Sequence, residues 1–432
     1  MLDLVILAGG KGTRMGDAVR MVPKPMLPLA GRPLLEHQVE LARRYGVAQI
    51  HVLTGHLGEA IEQYFGDGSR WGVRIAYHHE QQPLGTAGAL KELEGQLESD
   101  FLVFYGDIVM DVDLEALVAF HRHRRAQATL TVHPNAHPFD SDLVDTAADS
   151  RVAAFHPKPH APGCDRRNLV NAALYVLSPE VMADVPRERF ADLGRDVLPG
   201  LVASGQRVFG YATAEYLCDV GTPERLRAVE RDMVSGKVGR LNRRYARRAV
   251  FLDRDGVLVK EVDHLRRKED VELLPGAAEA IRRLNRSEFV TVVTSNQPGL
   301  ARGLFNENDL EQIQARLETL LGAAGAYLDR TYYCPHHPER GFPGERADLK
   351  IPCQCRKPAP GMLLTAAAEM NIDLSNSFLV GDRTTDIAAG KAAGCRTILV
   401  RTGYGGQDGK CRCEPDVICD NLPESIAIAL EL

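Results

Sequence analysis

No excess of positive charge runs through this 432-residue chain: 52 Lys and Arg stand against 58 Asp and Glu, a formal net charge of -6. That balance removes any global attraction to nucleic acid or to an anionic membrane surface. No run of apolar residues approaches the ~20 needed to cross a bilayer. The opening MLDLVILAGG is apolar but short, carries Asp3, and lacks the basic start and small-residue cleavage site of a signal peptide. Internal repeats, heptads and low-complexity tracts are also missing. The nine cysteines are an odd number, and with no secretory leader they fit a reducing cytoplasm better than a disulfide framework. The expectation is a cytoplasmic protein with neither nucleic acid nor membrane as partner; the oligomeric state is left open.

What is present is a globular composition, 44% hydrophobic and 25% charged, on a chain long enough for two or three domains. The stretch KVGRLNRRYARR holds six basic residues and no acidic one, which reads as a solvated helix end or linker. The expected division is residues 1–236, a basic linker over 237–248, and residues 249–432. In the first part LVILAGG, IHVLTG, FLVFYGD and TLTVH read as buried strands, with LLEHQVELARRYG and LEALVAFHRHRR as helices between them. In the second, AVFLDRD, VTVVTSN, FLVGD and TILV take the strand role, and DLEQIQARLETLLGAAG reads as a packing helix. The fold class expected is α/β, two Rossmann-like domains with mainly parallel sheets. In such folds the functional residues belong at the carboxyl ends of the strands, where the polar tails of these runs fall.

The first strand runs into GGKGTRMG. Gly9, Gly10 and Gly12 let backbone N–H groups approach phosphate oxygens, with Thr13 beside them, while Lys11 and Arg14 add charge. Pro23-Lys24-Pro25 fixes another cation, and QPLGTAGAL sets Gly85 and Thr86 at a helix start. Asp107 and Asp219 follow strand-like runs, and two such carboxylates could hold one Mg²⁺ against a nucleotide. Taken in order with PKPMLPLAGRPLLEH, NAALYVLSPEV and DVGTPERL, these motifs resemble the sugar-1-phosphate nucleotidyltransferases over roughly residues 1 to 232. The resemblance implies a GT-A-like domain that joins a sugar 1-phosphate to an NTP and releases pyrophosphate. It implies that Arg14 holds the triphosphate, Lys24 neutralises the reacting phosphates, and Asp107 and Asp219 bind Mg²⁺. Gly85 and Thr86 would line the nucleoside pocket and Asn171 would touch the sugar. Where the family shows Glu-Lys-Pro, this chain has Pro157-Lys158-Pro159. Lys158 is still expected to bind the sugar phosphate, but the choice of sugar is not inherited.

In the second part AVFLDRDG puts Asp253 at a strand end and Asp255 two residues on, with Gly256 allowing a sharp turn. A carboxylate becomes a useful nucleophile toward phosphorus when a metal holds it against the electrophile. Ser295 and Asn296 end another strand, Arg356-Lys357-Pro358 supplies cations, and FLVGDRTTDI brings Asp382 and Asp386. This order resembles the haloacid dehalogenase phosphatases over about residues 249 to 432. Within them it resembles the D-glycero-D-manno-heptose 1,7-bisphosphate 7-phosphatases and the similar histidinol phosphatases. By that resemblance Asp253 forms the aspartyl-phosphate, Asp255 acts as acid and then base, and Ser295 and Lys357 hold the phosphoryl group. Mg²⁺ is then bound by Asp253, Asp382 and the Asp255 carbonyl, with Asp386 orienting Lys357 or the metal shell. Asn296 and Arg356 would touch substrate, Arg356 at its other phosphate. No large cap fits between DRDG and SNQPG.

The stretch CPHHPERGFPGERADLKIPCQCRKP holds four metal-ligand candidates, Cys334, His336, Cys353 and Cys355. A DNA-reading finger needs a recognition helix between its ligand pairs, and the three Pro and two Gly here disfavour one. Four protein ligands close a tetrahedron and favour a structural zinc over a catalytic one. Cys411 and Cys413 read as ordinary thiols. The joint expectation is a bifunctional enzyme that removes the 7-phosphate of a heptose 1,7-bisphosphate and nucleotidylates heptose 1-phosphate, with GMP the favoured nucleotidyl group. The alternative keeps both chemistries on other substrates, a hexose 1-phosphate and histidinol phosphate. A zinc-containing regulatory protein is opposed by the intact Asp253, Asp255, Lys357 and Asp382 and by the acidic balance.

Overall fold

The structure, a computed structural model, describes residues 2–10, 12–19, 21–80, 82–161 and 163–432, without the side chains of Thr13, Asp17 and Ala18. It divides into two compact units. The first comprises Met1–His133, Asp142–Pro157 and Val170–Asn242. The second comprises Pro134–Ser141, Lys158–Leu169 and Arg243–Leu432.

The first unit is built on a nine-stranded mixed sheet. Its centre is the strand Asp3–Ala8, flanked in parallel by Gln49–Thr54 and Phe101–Tyr105. Arg74–His79 extends the parallel side, and Val170–Leu177 turns the sheet antiparallel beyond Phe101–Tyr105. Leu4, Ile6, Val52, Leu102, Phe104 and Leu174 are buried in one core against the helix Leu34–Arg44. Apolar runs covered on both faces take this central parallel position because no face is left for polar side chains. A short ribbon pairs Ile108–Asp111 with Tyr216–Asp219.

The second unit carries a six-stranded sheet, parallel throughout, in the order Arg330–Cys334, Val290–Asn296, Ala249–Leu252, Phe378–Gly381, Arg396–Val400, Val417–Cys419. All four residues of Ala249–Leu252 are buried. Between that strand and Val290 lie one 3-10 turn, Lys268–Asp270, and one helix, Ala277–Asn285, so no cap domain is inserted there. The helix Glu307–Ala323 starts at a capping box between Asn306 and Asp309, which satisfies its first free N–H groups.

Two departures from the expected division have electrostatic causes. The basic stretch 237–248 is folded. Lys237–Arg240 is helical, and Lys237 is buried 3.6 Å from Asp232. Arg247 is also buried, donating to the Met370 carbonyl. These partners draw Lys237 and Arg247 inward, while Arg240 and Arg244 stay exposed as a solvated stretch would. The units are also not contiguous, because residues 134–141 and 158–169 fold into the second. There Asp165 sits between Lys268 at 3.0 Å and Arg316 at 3.3 Å. Arg167 pairs with Glu318 at 2.9 Å and Glu311 at 3.0 Å. Among the described residues no helix is long and apolar enough to cross a membrane.

Candidate active sites

In the second unit the parallel strands deliver their polar tails to one end of the sheet. Asp253 follows Ala249–Leu252, Ser295 and Asn296 close Val290–Asn296, and Asp382 follows Phe378–Gly381. Asp253, Ser295, Lys357, Asp382 and Asp386 are all buried. The Lys357 ammonium lies 3.1 Å from Asp253 Oδ1 and 2.7 Å from Asp386 Oδ1, and donates to the Thr294 carbonyl at 2.7 Å. Asn296 fixes the lysine backbone through reciprocal bonds of 3.0 Å, its amide donating to the Lys357 carbonyl while its oxygen accepts the Lys357 N–H. Burial pushes the Asp253 carboxyl up to about 7 against the opposing pull of Lys357, and the Asp382 carboxyl up to about 8, with neighbouring carboxylates adding to both. Burial alone would lower Lys357, but Asp253 and Asp386 carry it above its ordinary value.

Asp253, Asp382 and Asp386 each bring a carboxylate oxygen within 4.8 Å of the others. Asp382 Oδ1 is buried with no hydrogen-bond partner among the described residues. Three acidic oxygens, one of them orphaned, fit a hard divalent cation. The turn is built close around them: Gly256 has φ +84, and a side-chain carbon there would run into the Asp382 carboxylate. Only glycine accepts both the conformation and the approach.

Two residues to which the sequence assigns no role, Arg254 and Gln297, shape Asp255. Buried Arg254 grips both its oxygens, at 3.0 and 2.9 Å, and Gln297 donates to it at 3.1 Å. Gln297 also donates to Ser295 Oγ at 2.7 Å, joining two of the expected catalytic side chains. Their only signal was position, beside Asp253 and Asn296.

The quartet Cys334, His336, Cys353 and Cys355 closes on itself. Sulfur separations are 3.5, 3.2 and 3.3 Å, and His336 Nδ1 stands 3.3 Å from Cys355 Sγ and 3.8 Å from Cys334 Sγ. Tetrahedral ligands about 2.3 Å from a zinc ion would lie roughly 3.8 Å apart, whereas a disulfide needs about 2.05 Å. The four can therefore hold one metal ion. Arg356 reaches the His336 carbonyl at 3.4 Å, so the loop that gathers the ligands also carries Arg356 and Lys357. Cys411 and Cys413 stand apart from this group, Cys413 Sγ donating to the Thr384 carbonyl at 3.2 Å.

In the first unit Lys24 is buried and its ammonium lies 2.5 Å from Asp107 Oδ2. Asp219 pairs with Arg225 at 2.6 Å. The two aspartates are brought together through the backbone, Val220 N–H donating to the Asp107 carbonyl at 2.8 Å. Arg14 joins them: a carbon on Gly221 would lie 2.7 Å from Asp219 Oδ2 and 3.5 Å from Arg14 Cζ. Gly12 turns with φ +61 against the Lys24 stem, while Gly10 faces open space. Lys11 and the Thr13 side chain lie outside the described residues. Gly85 starts its helix with φ +77, where a side chain would meet the Ala191 carbonyl at 2.5 Å. Thr86 Oγ1 donates to Asp192 Oδ2 at 3.0 Å. Asn171 accepts from Ala173 N–H at 3.3 Å and stands beside Tyr175. Lys158 lies in the segment assigned to the second unit, its ammonium 3.0 Å from Asp140 Oδ1.

Residues 4–236 match the family model described as nucleotidyl transferase, and residues 354–425 that described as HAD-hydrolase-like. Mannose-1-phosphate guanylyltransferase of Mycobacterium tuberculosis is 38% identical over 237 residues, 54% of this chain and 65% of that protein. The chain thus spans slightly less than two thirds of that relative. D-glycero-D-manno-heptose-1,7-bisphosphate 7-phosphatase of Thermosynechococcus vestitus is 43% identical over 187 residues, 42% of this chain and 94% of that protein. A crystal structure of HddC from Yersinia pseudotuberculosis is 25% identical, with a TM-score of 0.47, covering 54% of this chain and 100% of that one. The chain belongs to the nucleotidyl transferase family through its first half and to the HAD-like family of heptose-bisphosphate phosphatases through its second.

Proposed function

We propose that one chain performs two consecutive reactions of nucleotide-activated heptose synthesis. The second half removes the 7-phosphate of D-glycero-D-manno-heptose 1,7-bisphosphate. The first half transfers a nucleotidyl group, GMP by preference, from NTP to heptose 1-phosphate and releases pyrophosphate. The observation that carries this reading is a phosphatase half covering 94% of a heptose-bisphosphate 7-phosphatase, fused to a half whose family transfers nucleotidyl groups. The order follows from the chemistry. Nucleotidylation consumes the anomeric phosphate, so the phosphatase must spare it and take the distal one.

In the phosphatase half, the Asp253 carboxylate attacks phosphorus and the bond to the C7 oxygen breaks. Asp255 delivers a proton to that oxygen, for which Arg254 or Gln297 must yield one of the contacts holding its carboxylate. Asp255 then takes a proton from water as the water attacks the aspartyl-phosphate, releasing phosphate and restoring Asp253. Lys357 and Ser295 hold the transferring oxygens, Asn296 holds Lys357, and Arg356 is offered to the anomeric phosphate. Mg²⁺ at Asp253, Asp382 and the Asp255 carbonyl would offset the negative charge gathered there, which burial makes costly. Asp386 holds Lys357. Zinc, held by Cys334, His336, Cys353 and Cys355, would fix the loop that carries Arg356 and Lys357.

In the transferase half, an oxygen of the sugar phosphate attacks the α-phosphorus and pyrophosphate leaves in line. Lys24 and Arg14 neutralise the charge that develops, and the Gly9, Gly10 and Gly12 backbone cradles the phosphates. Asp107 and Asp219 would hold Mg²⁺ once substrate draws Lys24 and Arg225 away from them. Gly85 and Thr86 line the nucleoside side and Asn171 the sugar side. The substrates are small molecules, and nine cysteines free of disulfides suit the cytoplasm. A mannose 1-phosphate acceptor is the second reading, favoured by the 38% identity to a mannose-1-phosphate guanylyltransferase. Turnover of heptose 1-phosphate against mannose 1-phosphate, with pyrophosphate as readout, decides between them. Faster reaction with mannose 1-phosphate would sink the heptose assignment.

A further inference from the structure

Gln297 is the first residue beyond the strand Val290–Asn296, and it is buried. Its backbone is anchored to the neighbouring strand, the N–H donating to the Cys334 carbonyl at 2.8 Å. Its side-chain amide has two hydrogens, and both are placed. One goes to Ser295 Oγ at 2.7 Å and the other to Asp255 Oδ2 at 3.1 Å.

The two bonds differ in what they fix. A serine hydroxyl carries one hydrogen and accepts on its oxygen. With Gln297 donating to Ser295 Oγ, the hydroxyl hydrogen has to turn away from the amide. Among the described residues no acceptor takes it, so it stays available to an oxygen of the transferring phosphoryl group. Asp255 is held more firmly by another residue. Arg254 donates to both its oxygens, at 3.0 and 2.9 Å, with charge behind each bond. Arg254 is itself buried, and its Nη1 already lacks a partner among the described residues. Freeing more of the guanidinium would leave further buried donors unpaired, which costs most for a charged group. The neutral Gln297 bond to Asp255 is the longer one and the easier to release.

We infer that Gln297 is a positioning residue of the phosphatase half: it aims the Ser295 hydroxyl at the phosphoryl group, and it is the contact that yields when Asp255 hands over its proton. The inference rests on the phosphatase reading above and settles which of the two contacts gives way. Most of the effect passes through Ser295, because Arg254 still holds Asp255 when the Gln297 bond is gone.

The test is a double-mutant cycle on the full chain with D-glycero-D-manno-heptose 1,7-bisphosphate and Mg²⁺, measuring phosphate release. Gln297→Met keeps the length of the side chain and removes both donors. It should lower kcat about tenfold, the weight of one hydrogen bond, with KM little changed. In a Ser295→Ala background the same substitution should lower kcat by about twofold or less, since the group it acts through is gone. Equal losses in the two backgrounds, or a loss confined to KM, overturn the inference, as does an unchanged kcat in Gln297→Met. A thermal transition matching that of the wild type reports intact folding. Should the Met variant fail to fold, Gln297→Asn, whose amide sits one carbon nearer the backbone, takes its place in the cycle. Wild-type protein that releases no phosphate would remove the phosphatase reading, and this inference with it.

Discussion

Lys357 is a buried cation held by two buried carboxylates, Asp253 and Asp386, and each of the three depends on the others. Removing one partner of a buried ion pair costs far more than the pair contributes in net terms. Asp386→Ala should therefore lower stability by about 3 kcal/mol in denaturant titration and reduce phosphatase turnover with it. Asp253→Asn keeps the shape and removes the nucleophile. It should cut phosphatase kcat by about 10³-fold or more, and pyrophosphate release by the other half should be unchanged. Retained phosphate release would sink the aspartyl-phosphate mechanism. Thiol reactivity offers a further check at this scale. Burial pushes Cys218 and Cys395 up to about 12, so both should resist alkylation at pH 8 in the native protein, whereas exposed Cys164 should react. Peptide mapping after iodoacetamide reads this directly. Asp253, Asp255 and Asp382 were legible in the sequence because acids at the ends of apolar runs have few other reasons to recur. Gln297 was not, since an amide that bridges Asp255 and Ser295 looks in sequence like any surface amide.

At the scale of elements, the loop from Cys334 to Lys357 was legible from spacing, because soft ligands in two close pairs with prolines between them leave few other readings. The structure adds that the last ligand, Cys355, leads straight into Arg356 and Lys357, and that Arg356 is tied to His336. Stripping the metal with a chelator should expose Cys334, Cys353 and Cys355 to alkylation. It should also lower phosphatase turnover while leaving nucleotidyl transfer intact. Unchanged phosphatase kinetics in the stripped protein would separate the loop from catalysis. The turn at Gly256 is a second such element. Gly256→Ala should cost about 1–2 kcal/mol for the left-handed conformation alone, and it should abolish phosphatase activity by displacing Asp382. The membership of residues 134–141 and 158–169 in the second unit was not legible. Asp165 and Arg167 are held by ion pairs with Lys268, Arg316, Glu311 and Glu318. Such long-range charge pairing leaves no periodicity to read.

For the whole molecule, the pairing of functions rests on the substrate logic joining a phosphatase that spares an anomeric phosphate to a transferase that needs one. On the transferase side, Lys24→Ala should reduce nucleotidyl transfer about 10²–10³-fold by removing a cation aimed at the reacting phosphates, without altering phosphate release from the bisphosphate. The parallel order of the second unit's sheet and of the centre of the first followed from apolar runs buried on both faces, so the architecture was open to sequence reading where the loop chemistry was only partly so. The direct test is a single incubation of the full chain with D-glycero-D-manno-heptose 1,7-bisphosphate, GTP and Mg²⁺, followed by mass analysis of the products. The account predicts one phosphate released, one pyrophosphate released, and a GDP-heptose whose sugar carries no phosphate at C7. Release of the anomeric phosphate, or heptose 1-phosphate accumulating with GTP unconsumed, would contradict it.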